Sequence, residues 1–84
     1  MKYIIGVDTG GTFTDVAVMT PQGELFMDKA PTTPRDFSKG IMDALTEVSK
    51  RMNLSREELL KNTLSINIII HVFHIAHHFY FFIF

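Results

Sequence analysis

A pair of glycines set between two short apolar runs constrains this chain more than any other feature. Tyr3-Ile4-Ile5-Gly6-Val7 is short and β-branched and stops at a turn signal, Asp8-Thr9-Gly10-Gly11-Thr12, which reads as a buried strand entering a bend. Thr14 to Met19 then reads as a second strand, with Val16 and Val18 on one face and Ala17 and Met19 on the other. Thr20-Pro21-Gln22-Gly23 carries Pro and Gly at the second and fourth positions of a β-turn, and Glu24 to Ala30 returns as a third strand. Connections this short suit an antiparallel meander.

Helix signals follow the meander. Thr33-Pro34-Arg35-Asp36 offers a threonine N-cap, proline at the first helical position and an acid three residues on. Phe37, Ile41, Ala44, Leu45, Val48 and Met52 recur at helical spacing, and Gly40 weakens the helix if it is interior. Ser55-Arg56-Glu57-Glu58 is a second capping box, with Leu54 placed to pack on Leu59. Ile66-Asn67-Ile68-Ile69-Ile70 then reads as a buried strand, a fourth one parallel to the first. The fold class expected is α/β, with residues 1–65 forming three antiparallel strands backed by helices.

Composition matters most at the end of the chain. All eight Lys and Arg and all nine Asp and Glu lie at or before Lys61, so residues 62–84 carry no formal charge unless a histidine protonates. Six of the ten aromatic residues fall in the last twelve positions, which does not suit a solvated surface. Residues 66–84 are therefore read as a separate apolar tail prone to self-association. Two functional readings of it compete with that one. His71, His74 and His78 would share one face of a helix and bind Zn²⁺ or Cu²⁺, but no carboxylate nearby orients the rings. Residues 66–84 nearly reach the length of a membrane span, but four histidines and the lack of flanking Lys or Arg argue against insertion.

The rest of the composition excludes more than it selects. A chain of 84 residues has room for one small domain, marginal without staples. It has no cysteine, so disulfides and zinc-thiolate sites are excluded and a cytoplasmic setting is the simplest. The net charge of −1 gives no basic footprint for nucleic acid. The opening apolar run is too short for a signal peptide.

The bend carries the chemistry. Gly10 and Gly11 have no Cβ, so backbone there approaches a ligand closely and positive φ is cheap. Successive N–H groups in such a turn form a nest for an anion, typically phosphate. Thr9, Thr12 and Thr14 add hydroxyl donors around the same concavity. Asp8, at the strand end, suits Mg²⁺ held through water, because Mg²⁺ keeps several waters and few carboxylates. A P-loop fails here because Thr12 stands where its lysine must be. A dinucleotide fingerprint fails on spacing and because a strand follows. Half of an aspartic-protease dyad would need a homodimer and suits neither the residues after Gly10 nor the mid-chain helix. A glycine-rich hairpin without a ligand is the plain alternative. The strand, acid and three threonines together favour phosphate.

The run Val7-Asp8-Thr9-Gly10-Gly11-Thr12-Phe13-Thr14-Asp15-Val16, followed by a strand pair, Lys29-Ala30-Pro31-Thr32-Thr33-Pro34 and a helix, resembles the N-terminus of the hydantoinase A and 5-oxoprolinase family, which includes acetone and acetophenone carboxylase subunits. The likeness covers about three-quarters of the chain. It implies the first part of an actin-like, ribonuclease-H-like ATPase domain, in which this hairpin is the first phosphate motif. It further implies ATP and Mg²⁺ as cofactors and hydrolysis of a cyclic amide or carboxylation of a ketone as the activity. On that resemblance Asp8 supports Mg²⁺, Gly10, Gly11 and Thr12 line the phosphates, and Thr14 and Asp15 shape the turn, with Asp15 toward the substrate side. The family pattern continues into a His-Gly-Thr-Thr-type turn, whereas His71 here precedes Val72-Phe73-His74. The expectation is a truncated fragment, out of register near its end and inactive alone.

Overall fold

A computed structural model describes residues 2–72 and 78–83; for Val72 and residues 78–83 it describes the backbone alone. Three strands open the chain: β1 (Tyr3–Thr9), β2 (Phe13–Met19) and β3 (Leu25–Pro31). Helices α1 (Phe37–Arg51) and α2 (Arg56–Lys61) follow, then strands β4 (Thr63–Val72) and β5 (His78–Ile83). The sheet order is β3-β2-β1-β4-β5. The first three strands form the antiparallel meander that their short connections imply, and β4 runs parallel to β1. The two helices provide the crossover that a parallel pair requires. Residues 66–72 and 78–83 of the charge-poor end belong to this sheet: β4 continues unbroken through residues 66–72, and β5 pairs antiparallel with it.

Strict alternation divides the sheet into two faces. Tyr3, Ile5, Val7 and Thr9 of β1 are buried while the residues between them are exposed, and β2 buries Thr14, Val16 and Val18. The apolar side chains among these pack with Ala44, Leu45 and Val48 of α1 and with Leu59 of α2 in one core. The apolar spacing in α1 therefore reports its inner face. The opposite sheet face has no helix on it among the described elements. Ile4, Phe13, Met19, Leu25 and Met27 lie there at 43% to 59% exposure.

Local signals set the connections. Gly23 donates its N–H to Thr20 O and takes φ +86°, the left-handed conformation that glycine adopts freely. Asn53, at φ 57°, ends α1: its N–H bonds Lys50 O and that of Leu54 bonds Ser49 O. Ser55 caps α2 in a complete capping box with Glu58.

The start of α1 departs from the sequence reading. Asp36, not Thr33, is the N-cap, and its carboxylate accepts from Ser38 N–H. Thr33 and Pro34 lie in a preceding turn, closed by Asp36 N–H on Thr33 O. The Thr33 hydroxyl is drawn instead to the interior of the helix, where it accepts from Gly40 N–H at 2.8 Å. Space rather than that bond accounts for the glycine, since any residue but proline could donate the same N–H. A Cβ on Gly40 would stand 3.0 Å from Pro31 O and 3.1 Å from Thr33 Oγ1, so the helix can approach the end of β3 only without one.

Candidate functional site

The β1–β2 register, Asp8 opposite Asp15 and Thr9 opposite Thr14, leaves Gly10 to Phe13 as the bend. Gly10 N–H bonds Phe13 O at 3.0 Å. The carbonyls of Gly10 and Thr12 are held by one neighbour: Thr32 Oγ1 donates to Gly10 O at 2.9 Å and Thr32 N–H donates to Thr12 O at 2.9 Å. Thr32 thus ties the start of the α1 approach to the bend. The N–H groups of Gly11 and Thr12 have no acceptor among the described residues, and both residues are exposed. Two successive N–H groups without an acceptor on an exposed bend are the kind of donors an anion-binding nest requires.

The bend does not use left-handed backbone: among the glycines only Gly23 is at positive φ. The role of Gly10 is steric instead. A Cβ there would sit 3.3 Å from Phe13 O, tight against the bond that closes the turn.

The three threonines do not ring one concavity. Thr12 is exposed at the bend, but Thr9 and Thr14 are fully buried on the helix-covered face. Thr14 Oγ1 lies 3.0 Å from Thr32 Oγ1. The Thr32 hydroxyl hydrogen is already committed to Gly10 O, so Thr14 is the donor in that pair. Its hydroxyl therefore braces the bend. Thr9 Oγ1 finds no hydrogen-bond partner among the described residues. Strand alternation explains the split, since residues 9 and 14 are paired and share a face.

Asp8 and Asp15 stand on the other, uncovered face. With Gly6, Ala17, Met27, Asn67 and Ile69 they line a groove of about 410 Å³. Gly6 and Ala17 create its depth, because a Cβ on Gly6 would meet only open space. Asp8 is half-exposed and its Oδ1 lies 2.6 Å from His71 Nε2. The sequence offered His71 as a metal ligand with His74 and His78. His74 lies outside the described residues and only the backbone of His78 is described, while His71 itself faces Asp8. Among the described residues no cluster of three metal-ligating side chains exists.

Two side chains near the bend escaped the sequence reading. Thr32 is a bridge that only the β2–β3 register reveals. Lys29 lies opposite Asp15 in that register, and its Nζ stands 4.6 Å above the Phe13 ring. The signal for both was present in the run from Lys29 to Pro34, which follows the hairpin at a distance that returns it to the bend.

Comparison with known proteins places this arrangement. The model of the hydantoinase/oxoprolinase N-terminal region matches residues 4–71. The chain is 48% identical over 56 residues to the acetophenone carboxylase gamma subunit of Aromatoleum aromaticum, covering 67% of this chain and 8% of that protein. It is 34% identical over 59 residues to caprolactamase subunit alpha of Pseudomonas jessenii, covering 70% of this chain and 8% of that protein. The chain thus spans a small fraction of the length of these curated relatives. Among solved structures, the diol dehydratase-reactivating factor in its nucleotide-free form superposes with a TM-score of 0.61 at 28% identity, covering 84% of this chain and 12% of that one.

Proposed function

This chain belongs to the hydantoinase/oxoprolinase N-terminal family, and from that premise we propose that its β1–β2 hairpin is the first phosphate-binding element of an ATP-dependent enzyme that opens cyclic amides. The observation that carries the reading is the pair of amides at Gly11 and Thr12 without an acceptor among the described residues, exposed in the bend that follows a strand ending in Asp8-Thr9. Those donors suit anionic oxygens. The Asp8 carboxylate suits Mg²⁺ through water: His71 engages one oxygen and leaves the other for a metal-bound water.

ATP in such a site supplies a phosphoryl group that turns an amide oxygen into a good leaving group. The residues of this chain hold and orient. Gly11 and Thr12 present their N–H groups to the phosphates, Gly10 closes the turn on Phe13 O, Thr14 and Thr32 lock the carbonyl side of the same bend, and Thr9 lies buried beneath it. Asp15, beside Asp8 on the uncovered face, is placed toward the substrate side. Phosphoryl transfer rests on positioning and charge neutralisation, and this hairpin provides only part of each. The chain by itself therefore binds polyphosphate without turnover, in a cytoplasmic setting.

Calorimetric titration with inorganic tripolyphosphate and Mg²⁺ tests this. The wild-type chain is expected to bind, Gly10→Val to lose binding, and neither to hydrolyse ATP. A wild-type chain that shows no more affinity than Gly10→Val overturns the phosphate reading, and ATP turnover above that control overturns the inactivity. A second reading, a small self-assembling or membrane-associated phosphate binder, is favoured by the apolar residues on the uncovered face. Among the described residues no helix is long and apolar enough to cross a membrane, so this reading rests on the sheet face.

A further inference from the structure

We propose that Lys29 is a phosphate-binding residue, supplying from β3 the cation that the bend itself lacks. The inference rests on the phosphate reading of the bend. Its starting point is an electrostatic imbalance. Asp8 and Asp15 are direct cross-strand partners on one face of the sheet, next to the nest. Two carboxylates in that position repel each other and repel an arriving polyphosphate. A single divalent ion offsets part of this, and the loop sequence contains no lysine or arginine of its own.

Lys29 is the cation that the register brings closest. It pairs with Asp15, two residues down β2 from Phe13, a rise of about 6.6 Å. Its side chain does not settle on Asp15. The ammonium stands over the Phe13 ring, 4.6 Å from the centroid, so the stem runs along the strand toward the bend. Among the described residues Lys29 has no ion-pair partner, whereas Lys39, Lys50 and Arg51 are each paired with a carboxylate. A half-exposed aromatic ring holds a cation weakly. It holds the ammonium over the residue that follows the Gly11 and Thr12 amides without neutralising it, and an anion on those amides within reach of the lysine gains a charge-assisted hydrogen bond.

The test uses the 84-residue chain and titrates inorganic tripolyphosphate with Mg²⁺ at several NaCl concentrations. Lys29→Met keeps an unbranched apolar stem over Phe13 and removes the charge. It is expected to weaken binding about tenfold, the size of one hydrogen bond to a charged group, and to flatten the loss of affinity with added salt. Lys29→Arg is expected to stay within about threefold of wild type, since the charge and donors remain. Lys39→Met removes one positive charge from the outer face of α1 and is expected to leave binding unchanged, which separates a local contact from net charge. Equal affinity and equal salt dependence for wild type and Lys29→Met overturn the role of Lys29 while leaving the nest intact. Equal weakening by Lys39→Met also overturns it, as an effect of overall charge. Absence of wild-type binding removes the phosphate reading and this inference together.

Discussion

Single side chains in this molecule report conflicts that the surrounding fold resolves in different ways. The Thr9 hydroxyl is fully buried with no partner among the described residues, a penalty of about 1–3 kcal/mol for an unmade hydrogen bond. Thr9→Val keeps the branched shape and removes the hydroxyl. It is expected to stabilise the chain by about 1 kcal/mol in urea unfolding, provided no ligand is present. Gly40 shows the reverse case. Alanine would gain about 1 kcal/mol of helix propensity, but its methyl would meet Pro31 O at 3.0 Å, and a backbone oxygen cannot rotate away. Overpacking costs about 1–3 kcal/mol. Gly40→Ala is therefore expected to lose stability by about 1 kcal/mol by the same measurement. Asp28 supplies a pH dependence. The Lys29 backbone N–H and the Arg51 guanidinium hold its carboxyl below the usual carboxylate range. A carboxyl depressed in the folded state adds stability above its unfolded pKa and loses it as pH falls through the folded value. Arg51→Met is thus expected to shrink the acid-induced loss of stability below the usual carboxylate range, leaving the part due to the Lys29 amide. Urea midpoints compared between mildly acidic and strongly acidic buffer read this out.

At the scale of elements, the hairpins and caps were legible because their causes are local. Val16 and Val18 alternate with Ala17 and Met19, and that period settles which way β2 faces. Ser55 and Glu58 close their capping box within four residues of chain, so nothing distant is needed to see it. The start of α1 was not legible. Both Thr33 and Asp36 are competent caps, and the choice depended on Thr33 being claimed by Gly40 N–H as the helix docked on β3. The short helix α2 is secured less by its own six residues than by Leu59, which is fully buried in the shared core. Leu59→Ala is expected to lower stability by about 2–5 kcal/mol, enough to unfold much of a domain this small at room temperature. Loss of far-UV helical signal in the purified variant checks it.

Among the described residues the whole molecule is a sheet covered on one side. Both helices pack on the face carrying Ile5, Val7, Val16 and Val18, and the other face exposes Ile4, Phe13, Met19, Leu25 and Met27 around the Asp8–Asp15 groove. An apolar surface of that kind binds hydrophobic dyes. The double variant Leu25→Lys, Met27→Lys, at two of the most exposed of these positions, is expected to lower dye fluorescence clearly while leaving the unfolding free energy within about 0.5 kcal/mol of wild type. An unchanged fluorescence would show that the dye site lies elsewhere. In the same architecture the crossover leaves beside the bend and returns at the far end of β1, so β4 runs back along β1 and carries His71 to Asp8 from far along the chain.

The amino-acid sequence by itself determined the meander, the parallel fourth strand, the apolar faces of the helices and the glycine bend, because alternation, turn chemistry and capping act over a few residues. It also contained the family likeness that the match over residues 4–71 makes plain. Only the tertiary structure decided which threonines face the bend, which acid partner His71 takes and where Lys29 rests. Those outcomes depend on strand register and on which face the helices cover. Register pairs residues distant in the chain, and a shift of one position would send every one of these side chains to the other side of the sheet.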